Sequence, residues 1–307
     1  MTPAAPELEV HIGSLRMRNP VMVASGTFGY GPEYADLVDL NRLGAMVVKG
    51  ICLEPTEGNP PPRTVEVASG LINAIGLQNP GVDGFLREYL PFLRGYDVPV
   101  IVNIWGKTVE EYAEVARRFD GVDRIAALEL NVSCPNIKEG SRTFGTQPDL
   151  FRRVVDAVRA ATTLPLIPKL APNVSDIGQF ARLAEEAGAD AVSLINSLPA
   201  MAIDIDTGRP VLGNVTGGLT GPAIFPVALK LVWEAARAVR IPVIGMGGIR
   251  TADEAVAFML AGAHAVAVGT ANFVHPTAAL DVADGISAYL QRKGLGSALE
   301  LTGSLRL

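Results

Sequence analysis

The chain has 307 residues, 49% hydrophobic and 19% charged, with a formal net charge of -6 and a mean hydropathy of +0.28. This composition predicts a large buried core and excludes a disordered chain. The acidic balance argues against a binder of nucleic-acid phosphates.

Only Cys52 and Cys134 are present, too few for a secreted disulfide framework or an iron–sulfur cluster, which usually takes four cysteines. A cytoplasmic protein is expected. Residues 1–10 carry Glu7 and Glu9 and lack the basic start and apolar run of a signal peptide. No apolar stretch reaches the roughly 18 residues of a membrane span.

Pro20-Val21-Met22-Val23-Ala24 predicts a first strand, leading at once into Ser25-Gly26-Thr27-Phe28-Gly29-Tyr30-Gly31. Glycines there let the backbone approach a flat ligand, and equally make a plain strand-to-helix turn. A helix over 32–43 follows. Ala45-Met46-Val47-Val48 predicts a second strand ending in Lys49-Gly50, and a lysine at the tip of an apolar strand needs an anionic or polar partner unless it snorkels at the rim. Residues 54–63 read as a loop. Residues 64–68 and 71–75 read as a hairpin running into Asn73-Ala74-Ile75-Gly76-Leu77-Gln78-Asn79-Pro80-Gly81, whose amides suit a polar planar ligand or a capped turn.

The third strand covers 98–104, with Asn103 near its end, and Thr108 with Glu111 matches a capping box for the next helix. The fourth covers 125–131 and delivers Asn131-Val132-Ser133-Cys134-Pro135-Asn136. Strand-end loops are where α/β proteins display chemistry. A free cysteine is commonly a small buried thiol, but flanking amides and a turn-forming proline make Cys134 a candidate reactive group. Residues 137–146 have the composition of a lid or of a solvated loop, and a helix over 148–161 follows.

The fifth strand, 164–170, ends near Lys169, and the sixth, 189–195, delivers Asn196-Ser197. Residues 198–222 show little periodicity and read as an insertion. The seventh strand, 242–246, runs into Gly247-Gly248, and the eighth, 263–268, into Gly269-Thr270.

This alternation predicts one α/β domain over 1–307, a single (β/α)8 TIM barrel with an insertion after the sixth strand. A doubly wound sheet would want a Gly-x-Gly-x-x-Gly fingerprint after its first strand, which is missing. Barrels often hold phosphate at the loops after strands seven and eight, where Gly247-Gly248 and Gly269-Thr270 fall. His11, His264 and His275 are scattered without ligand spacing, so no metal is expected. The phosphate cradle, two strand-end lysines, clustered amides and a cysteine suit flavin mononucleotide (FMN).

Ala24-Ser25-Gly26 with Phe28-Gly29, the Asn73 to Gly81 stretch, the Cys134 motif, Thr216-Gly217-Gly218-Leu219-Thr220-Gly221-Pro222-Ala223, Ile244-Gly245-Met246-Gly247-Gly248 and Ala267-Val268-Gly269-Thr270-Ala271-Asn272 together carry a family likeness. Over nearly its whole length the chain resembles the class 1 dihydroorotate dehydrogenases, and specifically the catalytic subunit of their NAD-linked 1B subgroup. The resemblance implies FMN contacts from Ser25, Lys49, Gly50, Asn103, Asn131, Lys169, Ile195, Gly221, Gly247, Gly248, Gly269 and Thr270. It implies dihydroorotate or orotate contacts from Lys49, Asn73, Ala74, Ile75, Gly76, Leu77, Asn131, Asn196 and Ser197.

Cys134 matches the family's catalytic base, where the membrane-associated class 2 enzymes use serine. The implied reaction oxidises (S)-dihydroorotate to orotate in de novo pyrimidine (UMP) biosynthesis. NAD+ is the final acceptor, reached through a partner subunit with FAD and a [2Fe-2S] cluster that docks on a homodimer of this chain as a heterotetramer. The class 1A relatives pass electrons to fumarate instead. Two positions depart from the family pattern: Thr56 stands where a basic residue is expected, and bulky Trp105 sits beside the strand bearing Asn103.

Overall fold

The computed structural model describes residues 5–132, 138–139 and 142–307. Strands form where apolar, mostly β-branched runs are covered on both faces. Val100–Ile104 is buried at every position, as expected of a parallel strand between a barrel interior and a helical coat. Eight such strands, Val21–Val23, Ala45–Ile51, Val100–Ile104, Ile125–Asn131, Leu166–Lys169, Val192–Leu194, Val243–Met246 and Ala265–Val268, pair in chain order into a closed barrel. The eighth closes on the first in parallel through Val266 with Val21 and Val268 with Val23. The barrel expected from the alternation of strands and helices is therefore the fold found.

The helices coat the barrel with one apolar stripe each. Val109–Phe119 buries Tyr112, Val115, Ala116 and Phe119, the three- and four-residue spacing of a single helix face. Its cap is half of the expected box. Thr108 accepts from the Glu111 N–H at 3.2 Å, but the Glu111 carboxylate accepts from Lys107 N–H, one residue further out. The helix expected over 32–43 is broken into Pro32–Ala35 and the short turn Leu40–Arg42. Asp39 accepts from the Asn41 N–H at 3.1 Å, and such a local side-chain bond competes with helix continuation.

Two excursions leave the barrel beyond the carboxyl ends of its strands. The hairpin Thr64–Val67 and Gly70–Asn73 follows the second barrel strand, and Leu198–Met201 with Thr216–Thr220 follows the sixth. Thr216–Thr220 pairs antiparallel with Gly70–Asn73, so the two excursions form one four-stranded sheet. Among the described residues, no helix is long and apolar enough to cross a membrane.

Candidate active site

Parallel barrel strands point their carboxyl ends to one face, and a cavity of about 530 Å³ opens there, a volume in the range of small-molecule sites. Every residue expected to touch the pyrimidine lines it: Lys49, Asn73, Ala74, Ile75, Gly76, Leu77, Asn131, Asn196 and Ser197. Of the expected flavin set, Ser25, Lys49, Gly50, Asn103, Asn131, Lys169 and Thr270 line it too.

Ile195, Gly221, Gly247, Gly248 and Gly269 stand behind this wall. Gly247 and Gly248 have φ of 131° and 77°, conformations that favour glycine. A Cβ on Gly248 would lie 2.9 Å from the Gly221 oxygen, one on Gly247 3.6 Å from Ile195, and one on Gly221 3.7 Å from Thr270. These residues form one contiguous patch whose tightest positions have no room for a Cβ: one on Gly247 would meet Ala228 at 2.6 Å and one on Gly248 would meet Phe225 at 2.8 Å. Gly221 also precedes the short turn Pro222–Ile224 and the helix Phe225–Ala236.

The barrel floor carries a polar network built on Glu129, a residue the sequence reading passed over. Strand residues alternate faces, so Glu129 and Asn131 both point inward while Leu128 and Leu130 face the helices. The Glu129 carboxylate accepts from Asn103 Nδ2 at 2.7 Å and from the Ser193 hydroxyl at 2.8 Å. Lys169 Nζ stands 3.5 Å away and donates to Ser25 Oγ at 3.3 Å. Asn103 Oδ1 is buried with no partner among the described residues. The available signal was an acidic residue inside an otherwise apolar strand, since a buried charge must be paired.

The Asn73 to Leu77 loop is held by Thr56 and Asn59, from the segment expected to be plain loop, and by Asn79, from the amide-rich stretch itself. Asn59 donates to the Ala74 oxygen at 3.0 Å, and Thr56 donates to the Leu77 oxygen at 2.7 Å. Asn79 gives one amide hydrogen to Leu77 O and another to Thr56 Oγ1, while its oxygen accepts from the Cys52 and Gly81 N–H groups. Thr56 thus fills its departing position with hydrogen bonds rather than charge. Trp105 is buried against Gly50, and its Nε1 has no partner among the described residues.

Lys49 is half-buried, and loss of water pushes its pKa below the ordinary lysine range, opposed by Glu33 and aided by Arg63. Cys52 is a buried free thiol whose pKa burial raises. Cys134 lies outside the described residues, as do 137, 140 and 141 of the loop over 137–146. Val132, two residues before Cys134, lines the cavity. Among the described residues no group of His, Cys, Asp or Glu has the arrangement of a metal site.

A closed parallel barrel with a polar cavity at the carboxyl ends of its strands defines the class as a (β/α)8-barrel enzyme. Residues 7–290 match the family model for dihydroorotate dehydrogenase, and the chain belongs to that family. It is 54% identical over 300 residues to a protein of Geotalea uraniireducens (strain Rf4), covering 98% of each chain. It is 55% identical to one of Trichlorobacter lovleyi, covering 98% of this chain and 99% of the relative, and 53% identical at the same coverages to one of Thermoanaerobacter pseudethanolicus. All three relatives carry the name dihydroorotate dehydrogenase B (NAD(+)), catalytic subunit.

Proposed function

We propose that this chain oxidises dihydroorotate to orotate on an FMN held in the cavity, as a step of pyrimidine biosynthesis in the cytoplasm. NAD+ is the final acceptor, reached through a partner subunit. The observation that carries this reading is that two chemically distinct sets of residues line one cavity. One set holds Asn103, whose buried Oδ1 has no partner among the described residues, and the cation of Lys169, both set around Glu129. The other set presents the amides of Asn73 and Asn196, the Ser197 hydroxyl and the half-buried Lys49.

The floor fits FMN. A flavin edge offers both an N–H for Asn103 Oδ1 and oxygens for Lys169 and Ser25, and the patch of Gly221, Gly247 and Gly248 with Thr270 suits its phosphate. When bound, FMN supplies the acceptor for a hydride that the substrate loses from C6. The remaining work falls to this chain's residues. Lys49 meets the substrate carboxylate, and Asn73, Asn131, Asn196 and Ser197 hold the ring by its carbonyl and N–H groups, fixing its orientation. Cys134 takes the C5 proton as its thiolate.

The names of the relatives support an electron-accepting partner, here assigned FAD and a [2Fe-2S] cluster, on a homodimer of single-domain chains. An absorption spectrum of the purified chain, recorded before and after anaerobic dihydroorotate, tests the reading. Flavin bands that bleach on addition are expected. A colourless protein, or bands that stay unchanged, would sink it.

A further inference from the structure

Glu129 is, among the described residues, the acidic side chain that stands with the buried polar set of the barrel interior. Its side chain is 3% exposed and that of Lys169 6%. A carboxylate accepts hydrogen bonds and cannot donate them. Asn103, sitting 2.7 Å from it, must therefore turn its NH2 toward Glu129. The consequence is that Oδ1, on the other side of the same amide, is buried with no partner among the described residues, beside Gly50, whose added Cβ would lie 2.8 Å from it.

Lys169 is constrained in the same way. Of its three N–H donors, the ammonium aims one toward Glu129 and one at Ser25 Oγ. Register supports the arrangement, because Asn103 lies directly across from Glu129 on the neighbouring strand, and Lys169 lies across from Ser193. One buried anion thus decides which amide atom of Asn103 is left to accept and how much of the lysine's positive field reaches the cavity.

We infer that Glu129 is a positioning residue: it fixes the amide orientation of Asn103, a residue of the cavity lining, and offsets the charge of Lys169, thereby tuning the reduction potential of the bound flavin through that lysine. The inference rests on the flavin reading above. Glu129→Gln is nearly isosteric and keeps an acceptor for Asn103 and a donor for Ser193 while deleting the charge. With Lys169 no longer offset, negative charge on the reduced flavin is better stabilised.

The test is a spectroelectrochemical titration of the flavin-loaded parent protein, E129Q, E129D, K169M and E129Q/K169M, with thermal unfolding of the same preparations. E129Q is expected to move the two-electron midpoint upward by about 30 mV or more, a tenfold change in the equilibrium. The shift should vanish in the K169M background and revert toward the parent value in E129D. In unfolding, E129Q should lower Tm and the added K169M should restore part of the loss, because the unpaired buried cation is gone.

An E129Q midpoint equal to the parent's, or an equal shift without Lys169, overturns the inference. So do strictly additive losses of Tm, or failure of both E129Q and the double variant to fold. A parent protein without flavin would instead overturn the preceding reading, and the Tm coupling would still decide this one.

Discussion

The side-chain amide of Asn73 donates to the main-chain oxygen of Gly218 at 3.2 Å, joining the loop after the second barrel strand to the excursion after the sixth. Both line the cavity. A Cβ on Gly218 would overlap the Ser197 hydroxyl, which belongs to the same wall. Gly218→Ala is therefore expected to displace Ser197 at an overpacking cost of about 1–3 kcal/mol. That weakens orotate binding by roughly tenfold or more while flavin content stays at the parent level. Orotate titration followed by the flavin spectrum measures both, and parent-like affinity would remove Ser197 from the substrate wall.

Lys49 yields a prediction in pH. Burial holds its pKa below the 10.5 of an unperturbed lysine, and a bound carboxylate favours the ammonium form. Orotate affinity should fall as pH rises through the lowered pKa, and Lys49→Arg, charged throughout, should flatten that limb. In the ligand-free protein the unfolded chain binds more protons than the folded one between the lowered value and 10.5. The lysine's contribution to stability therefore grows as pH rises across that window. Orotate dissociation constants that stay level over the same window would refute the charge pairing.

Cys134→Ala should leave FMN bound and slow flavin reduction by dihydroorotate by about 10²–10⁴-fold, the usual worth of a positioned acid or base. Because the thiolate is the active form, reduction by the parent protein should quicken as pH rises toward the ordinary thiol range near ~8.5. Stopped-flow bleaching that is unchanged in the variant, or flat with pH in the parent, would take the base away from Cys134.

Much of this site was legible in the sequence because parallel barrel strands are long buried runs, and a polar residue ending such a run stands out. Lys49, Asn103, Asn131 and Lys169 all announce themselves that way, and all line the cavity. Glu129 did not. It sits two positions before the end of its strand, and only the closed barrel brings Asn103, Ser193 and Lys169 around it from three other strands. The pairing of Gly70–Asn73 with Thr216–Thr220 was hidden for a related reason. Each segment reads locally as a loop or hairpin, and the register between distant segments leaves no periodic trace. The short helix Pro32–Ala35 shows the opposite failure, where a helical pattern lost to a local bond from Asp39.

The last prediction concerns the route by which electrons leave. Thr270 and Phe273 line the cavity, Phe273 is 55% exposed, and the adjoining Val274 is 74% exposed. This leaves an exposed apolar edge at the cavity where a partner can approach. The chain has no cysteine quartet and no dinucleotide fingerprint after its first strand. Mixed alone with dihydroorotate and NAD+, it should therefore reduce its flavin once and form no sustained NADH, and co-expression with the proposed FAD and iron–sulfur subunit should restore turnover. Val274→Asp places a charge on that edge, where an unpaired charge opposes burial in an interface. It should lower NADH formation by the complex while leaving the single flavin reduction of the isolated chain unchanged. Steady-state NADH assays paired with stopped-flow reduction separate the two effects. Sustained NADH formation by the chain alone would overturn the partner proposal, and efficient fumarate reduction would assign the chain to the class 1A chemistry instead.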